Sequence, residues 1–228
     1  QEEKANVLIP SFAIERTQEI LYYLKKLLTE NRIPHLLTFL DSPMAIEVTE
    51  VFKRYPDYLD GEAGKFIEKK ISPFEFPLLH FTRTVEESKT INHIKGSSII
   101  MAGSGMCTGG RIKHHLVTNI EREESSIVFV GYQAKGTLGR EILENEQVRI
   151  LGNYYKVRAK IEKIEGFSAH ADRKELLSWF ENFKKLPEKV FLVHGEEEGI
   201  FEFSKVLKEK YKNLEVLIPS YLEEYKIQ

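Results

Sequence analysis

The sequence is poor in the features that most readily assign a protein to a class. Its 228 residues contain one cysteine, Cys107, which excludes an intrachain disulfide framework and a cysteine-rich zinc site and fits a reducing, cytoplasmic setting. Charge of one sign is lacking as well. Lys and Arg number 33 against 35 Asp and Glu, a formal net charge of −2, so any attraction to nucleic acid must come from a local basic surface. No apolar run approaches the roughly 20 residues that cross a bilayer, and the opening "QEEKANVLIP" lacks the charged-then-apolar layout of a leader. No internal repeat or low-complexity segment is present. The chain enters a strand within its first ten residues without a lead-in, as a fragment of a longer protein would.

What is there is a core and an alternation. With 42% hydrophobic and 30% charged residues, the chain has material for a packed interior and no signature of disorder. "NVLIP" (6 to 10) is a short apolar strand, followed by Ser11 as an expected N-cap and by Ile14, Ile20, Leu21, Leu24 and Leu27 at helical spacing. "HLLTFLD" (35 to 41) repeats the strand and "SPMAIEVTEVFKRY" the helix, with Ser42 as cap and Pro43 in the first turn. Residues 56 to 90 mix aromatic, proline and charged residues without a clean period, which predicts short helices and irregular connections. Two more strands, "SSIIMAGS" (97 to 104) and "SSIVFVGY" (125 to 132), each run into a helix through glycine. The alternation predicts an α/β fold with a parallel sheet, helices on both faces, and functional loops at the carboxyl ends of the strands. From about 154 the pattern changes: "YYKVRAKIEKI" alternates apolar and charged residues, as in a sheet with one wet face. Helix 171 to 184, strand 189 to 194, helix 200 to 211 and strand 214 to 218 complete the reading, with a domain boundary near 164.

Three places could carry chemistry. His170, in "GFSAHADRKEL", stands just before a helix, where free N–H groups favour anions; the alternative is a spacer beside a helix cap supplied by Ser168 or Asp172. His194 ends the apolar strand of "VFLVHGEEEG", a rigid position suited to a metal ligand or an acid/base group, or to a histidine bonded to a nearby carbonyl. A separation of one helix and one strand could bring the two rings to one edge. "GSGMCTGGR" (103 to 111) offers N–H groups and Arg111 to a phosphate, or forms a tight turn requiring positive φ; it matches neither the P-loop nor the dinucleotide fingerprint. His114 and His115 are neighbours on a helix and cannot share a face, so they read as surface or core residues and not a metal pair. Cys107 reads as a small buried side chain. Lys135, Arg140, Arg158 and Lys160 fit a basic surface or a solvated face.

In order, "VLIPSFAIERTQEIL", "LDSPMA", "AGSGMCTGGRI", "VFVGYQAKGTLGREI", "GFSAHADRKEL" and "LVHGEEE" resemble the β-CASP branch of the metallo-β-lactamase superfamily, most closely RNA-processing nucleases related to the cleavage-and-polyadenylation endonuclease. The resemblance spans nearly the whole chain. It implies that 1–164 is most of a β-CASP domain and 165–228 the returning C-terminal part of a metallo-β-lactamase αβ/βα domain. It further implies a two-zinc ribonuclease cutting single-stranded RNA, in which His170 meets the scissile phosphate and His194 ligates zinc. Ser168, Ser104, Gly105, Thr108, Gly109, Gly110 and Arg111 would line the substrate path. The family's His-x-His-x-Asp-His metal motif is absent. The chain is therefore expected to lack an N-terminal lactamase half, to bind zinc poorly and to be inactive alone. The alternatives are an RNA-binding or dimerising module, a homodimer included, and a hydrolase of a small phosphoester. No membrane partner is implied.

Overall fold

The computed structural model describes residues 5–59, 61–94, 96–167 and 170–226. The chain divides into two compact units, Gln1–Ser168 and Ala169–Gln228. Among the described residues, no helix is long and apolar enough to cross a membrane.

The first unit is built on a parallel six-stranded sheet. Its strands are β1 (Asn6–Pro10), β2 (Leu37–Leu40), β3 (Leu79–Phe81), β4 (Ser98–Ala102), β5 (Ser126–Phe129) and β8 (Lys160–Lys163), in the order β3-β2-β4-β1-β5-β8. Parallel strands with both faces covered must be apolar on both, and β1 shows how. Leu8 packs on one side, with Ile112 and Leu116 of helix α5 (Ile112–Asn119) and Leu138 and Ile142 of α6 (Leu138–Glu144). Ile9 packs on the other, with Leu21 of α1 (Arg16–Thr29) and Ile46 of α2 (Pro43–Arg54). Helices therefore cover both faces, as the strand–helix alternation predicts.

Residues 56 to 90 hold a 3-10 turn (Pro56–Tyr58), α3 (Gly61–Glu68), β3 and α4 (Val85–Thr90), matching the expectation of short elements. Ser42 caps α2, its hydroxyl accepting from the Ala45 N–H with Pro43 in the first turn. Ser11 does not cap α1. That helix starts at Arg16, and the Ser11 and Thr17 hydroxyls lie 3.0 Å apart while the segment between them makes a turn. Ile14 falls in that turn and is exposed. The alternating stretch after 153 is broken into β7 (Asn153–Lys156), antiparallel to β6 (Gln147–Ile150), and β8, parallel to β5 at the sheet edge. At the break, the N–H groups of Arg158 and Ala159 both donate to the Ile120 carbonyl at 2.9 Å.

Buried polar side chains tie the amino ends of the strands together. Ser98 donates to the Asn6 side-chain oxygen at 2.8 Å, and the Asn6 amide donates to Asn119 at 2.8 Å. The Asn119 amide in turn donates to the His115 carbonyl. β1, β4 and α5 are thus pinned where satisfied amides cost little and unsatisfied ones would cost about 1–3 kcal/mol.

The second unit contains α7 (Arg173–Glu181), β9 (Lys189–Phe191), α8 (Glu197–Lys210) and β10 (Glu215–Leu217), with β9 and β10 parallel. Its small core gathers Phe180, Leu207, Leu214 and Val216.

Candidate nucleic-acid interface

Strand order sets the place of a cleft. The chain passes from β1 over β4 to β2 with its helix on the Ile9 face, and it returns from β3 over β2 to β4 on the opposite face, where Ile91 packs on Phe39 and Ile100. Right-handed crossovers travelling in opposite directions must use opposite faces. The connections diverge at the carboxyl edge and open a crevice there. A cleft of about 470 Å³ lies at this edge, lined among others by Phe12, Ser42, Met44, Ser104 and Thr108.

Its floor is a charged cluster that joins residues distant in the chain. Asp41, at the end of β2, is fully buried. One carboxylate oxygen accepts from Arg111 Nη1 at 2.7 Å, and the other from Ser88 Oγ and His115 Nε2, both at 2.6 Å. Arg111 also donates to the carbonyls of Thr82 and Arg83, so one guanidinium ties the strand ends of β2 and β3 to the start of α5. Burial pushes the Asp41 carboxyl up, but hydrogen bonds from His115, Ser88 and Arg111 together outweigh it and hold the group below the usual carboxylate range. An ionised carboxylate only accepts, so His115 Nε2 carries the proton in this bond. Of the neighbouring histidines, His115 is buried and His114 exposed, in keeping with the helical argument that they cannot share a face.

The glycine-rich loop folds on itself. Ser104 N–H donates to the Gly109 carbonyl and Cys107 N–H to the Ser104 carbonyl, each at 3.1 Å, while Gly109 N–H donates to the Ser104 hydroxyl at 3.2 Å. Those three donors are engaged inside the turn, and Arg111 is engaged with Asp41. Gly110 has φ of +75°, and a Cβ there would lie 2.2 Å from the Gly103 carbonyl oxygen. Both the tight-turn reading and the need for glycine are met at this position. Gly110→Ala is expected to destabilise the first unit by about 1–3 kcal/mol through backbone strain and overlap, read as a lower denaturation midpoint with an unchanged m-value. Cys107 is buried, and desolvation pushes its thiol up to about 12, which leaves it a packing residue at neutral pH.

In the second unit, His170 is exposed and sits two residues before Asp172, the N-cap of α7. Asp172 accepts from Lys174 and Glu175 N–H, and Glu175 accepts in return from Asp172 N–H. This capping box occupies the N–H groups of Asp172, Lys174 and Glu175 at the start of α7. Ser168 lies outside the described residues. His194 is exposed, three residues past β9, with φ of +60°. Among the described residues, no three His, Cys, Asp or Glu side chains gather to hold a metal. A hydrolytic zinc takes about three protein ligands, and His194 with its surroundings does not fit that need.

Of the basic residues considered for a surface, Lys135, Arg158 and Lys160 are exposed, and Arg140 pairs with Glu144 at 2.6 Å. The Asp41–Arg111–His115 cluster was missed because its members are far apart in the chain. The available signal was a carboxylate ending an apolar strand, which must find a partner if buried.

Comparison with known proteins returns two family models. The Beta-Casp domain matches residues 17–142, and the Zn-dependent metallo-hydrolase RNA specificity domain matches 154–219. The chain is 41% identical over 202 residues to Ribonuclease TTHA0252 of Thermus thermophilus, covering 88% of this chain and 46% of that protein. It is 31% identical over 229 residues to Transcription termination factor FttA of Methanocaldococcus jannaschii, covering 97% of this chain and 36% of that one. The FttA of Methanosarcina mazei is 30% identical over 212 residues. The chain thus spans about half or less of the length of these curated relatives.

Proposed function

The chain belongs to the β-CASP family, and on that premise we propose that it is the RNA-gripping part of a hydrolytic ribonuclease that cleaves phosphodiester bonds. The observation that carries this reading is the pair of adjacent matches, a β-CASP domain followed by an RNA specificity domain. Residues 1–164 act as the β-CASP domain, and 165–228 as the returning part of a metallo-β-lactamase domain. His170, exposed ahead of α7, donates a proton to the oxygen that leaves the scissile phosphate. Zinc is the metal in the family description; His194 is the one ligand proposed from this chain, and the remainder must come from residues outside it.

A second reading is favoured by the match of residues 154–219 to an RNA specificity domain: a module that binds RNA and does not cut it. One comparison separates the two. Zinc content and cleavage of labelled single-stranded RNA are measured for this chain, and for the same chain preceded by the additional length its relatives carry. The expected result is that both bind RNA, with affinity falling as salt rises, while the longer protein alone holds about two zinc ions and cuts. Cleavage by this chain alone would overturn the division of labour. Binding by both with cleavage by neither would favour the module, and absence of RNA binding would overturn both readings.

A further inference from the structure

The cleft at the carboxyl edge of the first unit's sheet lacks the charge a phosphate would need. Its charged lining residues are Asp41 and Arg111, which are bonded to each other at 2.7 Å, so their charges cancel. The N–H groups of Ser104, Cys107 and Gly109 are engaged within the loop. Besides the other backbone N–H groups of the loop, what the cleft presents to a ligand is apolar or a hydroxyl. Met44 is 66% exposed and Phe12 46% exposed, and Ser104 and Thr108 bring their hydroxyls, 3.1 Å apart and hydrogen-bonded to each other, to the same cleft.

Phe12 is also held still. Its carbonyl accepts from the Thr17 hydroxyl at 2.6 Å and from Thr17 N–H at 3.3 Å, and the preceding Ser11 N–H donates to the Ala102 carbonyl at 3.0 Å. The ring rests on Gly105: a Cβ at that glycine would lie 2.7 Å from the nearest ring carbon. An exposed aromatic ring fixed over a bare backbone loses little entropy when a flat partner stacks on it. Base–aromatic stacking tolerates any base and is strong enough to set affinity.

Resting on the ribonuclease reading above, we propose that this cleft receives one nucleobase of single-stranded RNA, with Phe12 as its stacking face and the Ser104 and Thr108 hydroxyls at its polar edge. The phosphates run outside the cleft. Phe12 is thus a positioning residue that fixes which nucleotide sits where along the strand.

The test is the affinity of the 228-residue chain for a labelled single-stranded oligoribonucleotide across a salt series. Phe12→Ala is expected to raise Kd roughly 5- to 150-fold, the value of one stacked base, with the salt slope unchanged because no phosphate contact is lost. Phe12→Tyr should retain near-native affinity. Removing single bases along the oligonucleotide should reveal one position whose loss weakens the native chain but adds nothing to Phe12→Ala, the signature of a coupled pair. Thermal unfolding of each variant checks that the exposed position leaves the fold intact. Native affinity in Phe12→Ala, or a loss that comes with a changed salt slope, overturns the proposal while leaving the ribonuclease reading standing. A chain that binds no RNA overturns both. A free nucleoside monophosphate that binds as tightly as the oligonucleotide would assign the pocket to free nucleotides and overturn its assignment to RNA.

Discussion

Replacing Asp41 by alanine should cost the first unit about 3–5 kcal/mol, the range for breaking a buried ion pair by removing one partner. The carboxylate is fully buried and receives Arg111, Ser88 and His115. Its loss leaves a guanidinium with only carbonyl partners, and a buried imidazole N–H and hydroxyl facing a void. Domain stabilities are about 5–15 kcal/mol, so the substitution takes a large share of the total. Equilibrium urea unfolding measures it directly; a shift below about 1 kcal/mol, the level of an exposed pair, would mean the cluster is not buried as described. Asp41→Asn keeps the shape and loses the charge. The native carboxyl is harder to protonate folded than unfolded, because hydrogen bonds from its three partners outweigh its burial. Its stabilisation is therefore complete above the unfolded value of about 3.9 and is lost as pH falls through the lowered folded value. Stability profiles of the native chain and Asp41→Asn should converge over that acid range and separate above it.

His170→Ala, placed in the longer protein, should lower the cleavage rate by about 10²- to 10⁴-fold, the usual worth of a positioned general acid. Zinc content and RNA affinity should stay within experimental error, since the proposed role begins only when the leaving oxygen takes up charge. The exposed position makes a folding defect a poor explanation for any loss. The informative control is a substrate whose leaving oxygen needs no proton: with it, the variant should recover most of its rate. An unchanged rate on ordinary RNA, with zinc intact, would remove His170 from the chemistry.

The parts of this molecule legible in its sequence are those set by neighbours in the chain. The Ser42–Pro43 start of α2 is one, because cap, proline and first N–H lie within four residues. The α/β alternation is another, since each strand and helix carries its own period. Ser11 shows the limit: the same local signal misplaced the start of α1, because the chain first makes the turn that seats Phe12. Asp41 and its partners were not legible at all, since the contacts join positions 70 and 74 residues apart. In the glycine-rich loop, sequence discloses which residues can turn but not which N–H groups the turn consumes. Near His170 the capping box is local, because Asp172 and Glu175 lie three residues apart.

The Asn6–Ser98–Asn119 chain of hydrogen bonds also bears on how the strands choose their alignment while folding. A sheet with one wet face resists slippage, because a shift of one residue exposes its apolar side. Here Leu8 and Ile9 on β1, like Ile100 and Met101 on β4, are all buried, so a one-step slip would exchange one greasy surface for another at small expense. Asn6, paired in register with Ser98, breaks that degeneracy. In the slipped arrangement its amide would turn to the opposite face, away from Ser98 and Asn119 and into hydrocarbon, so one polar side chain serves as the index mark by which an almost featureless strand finds its alignment.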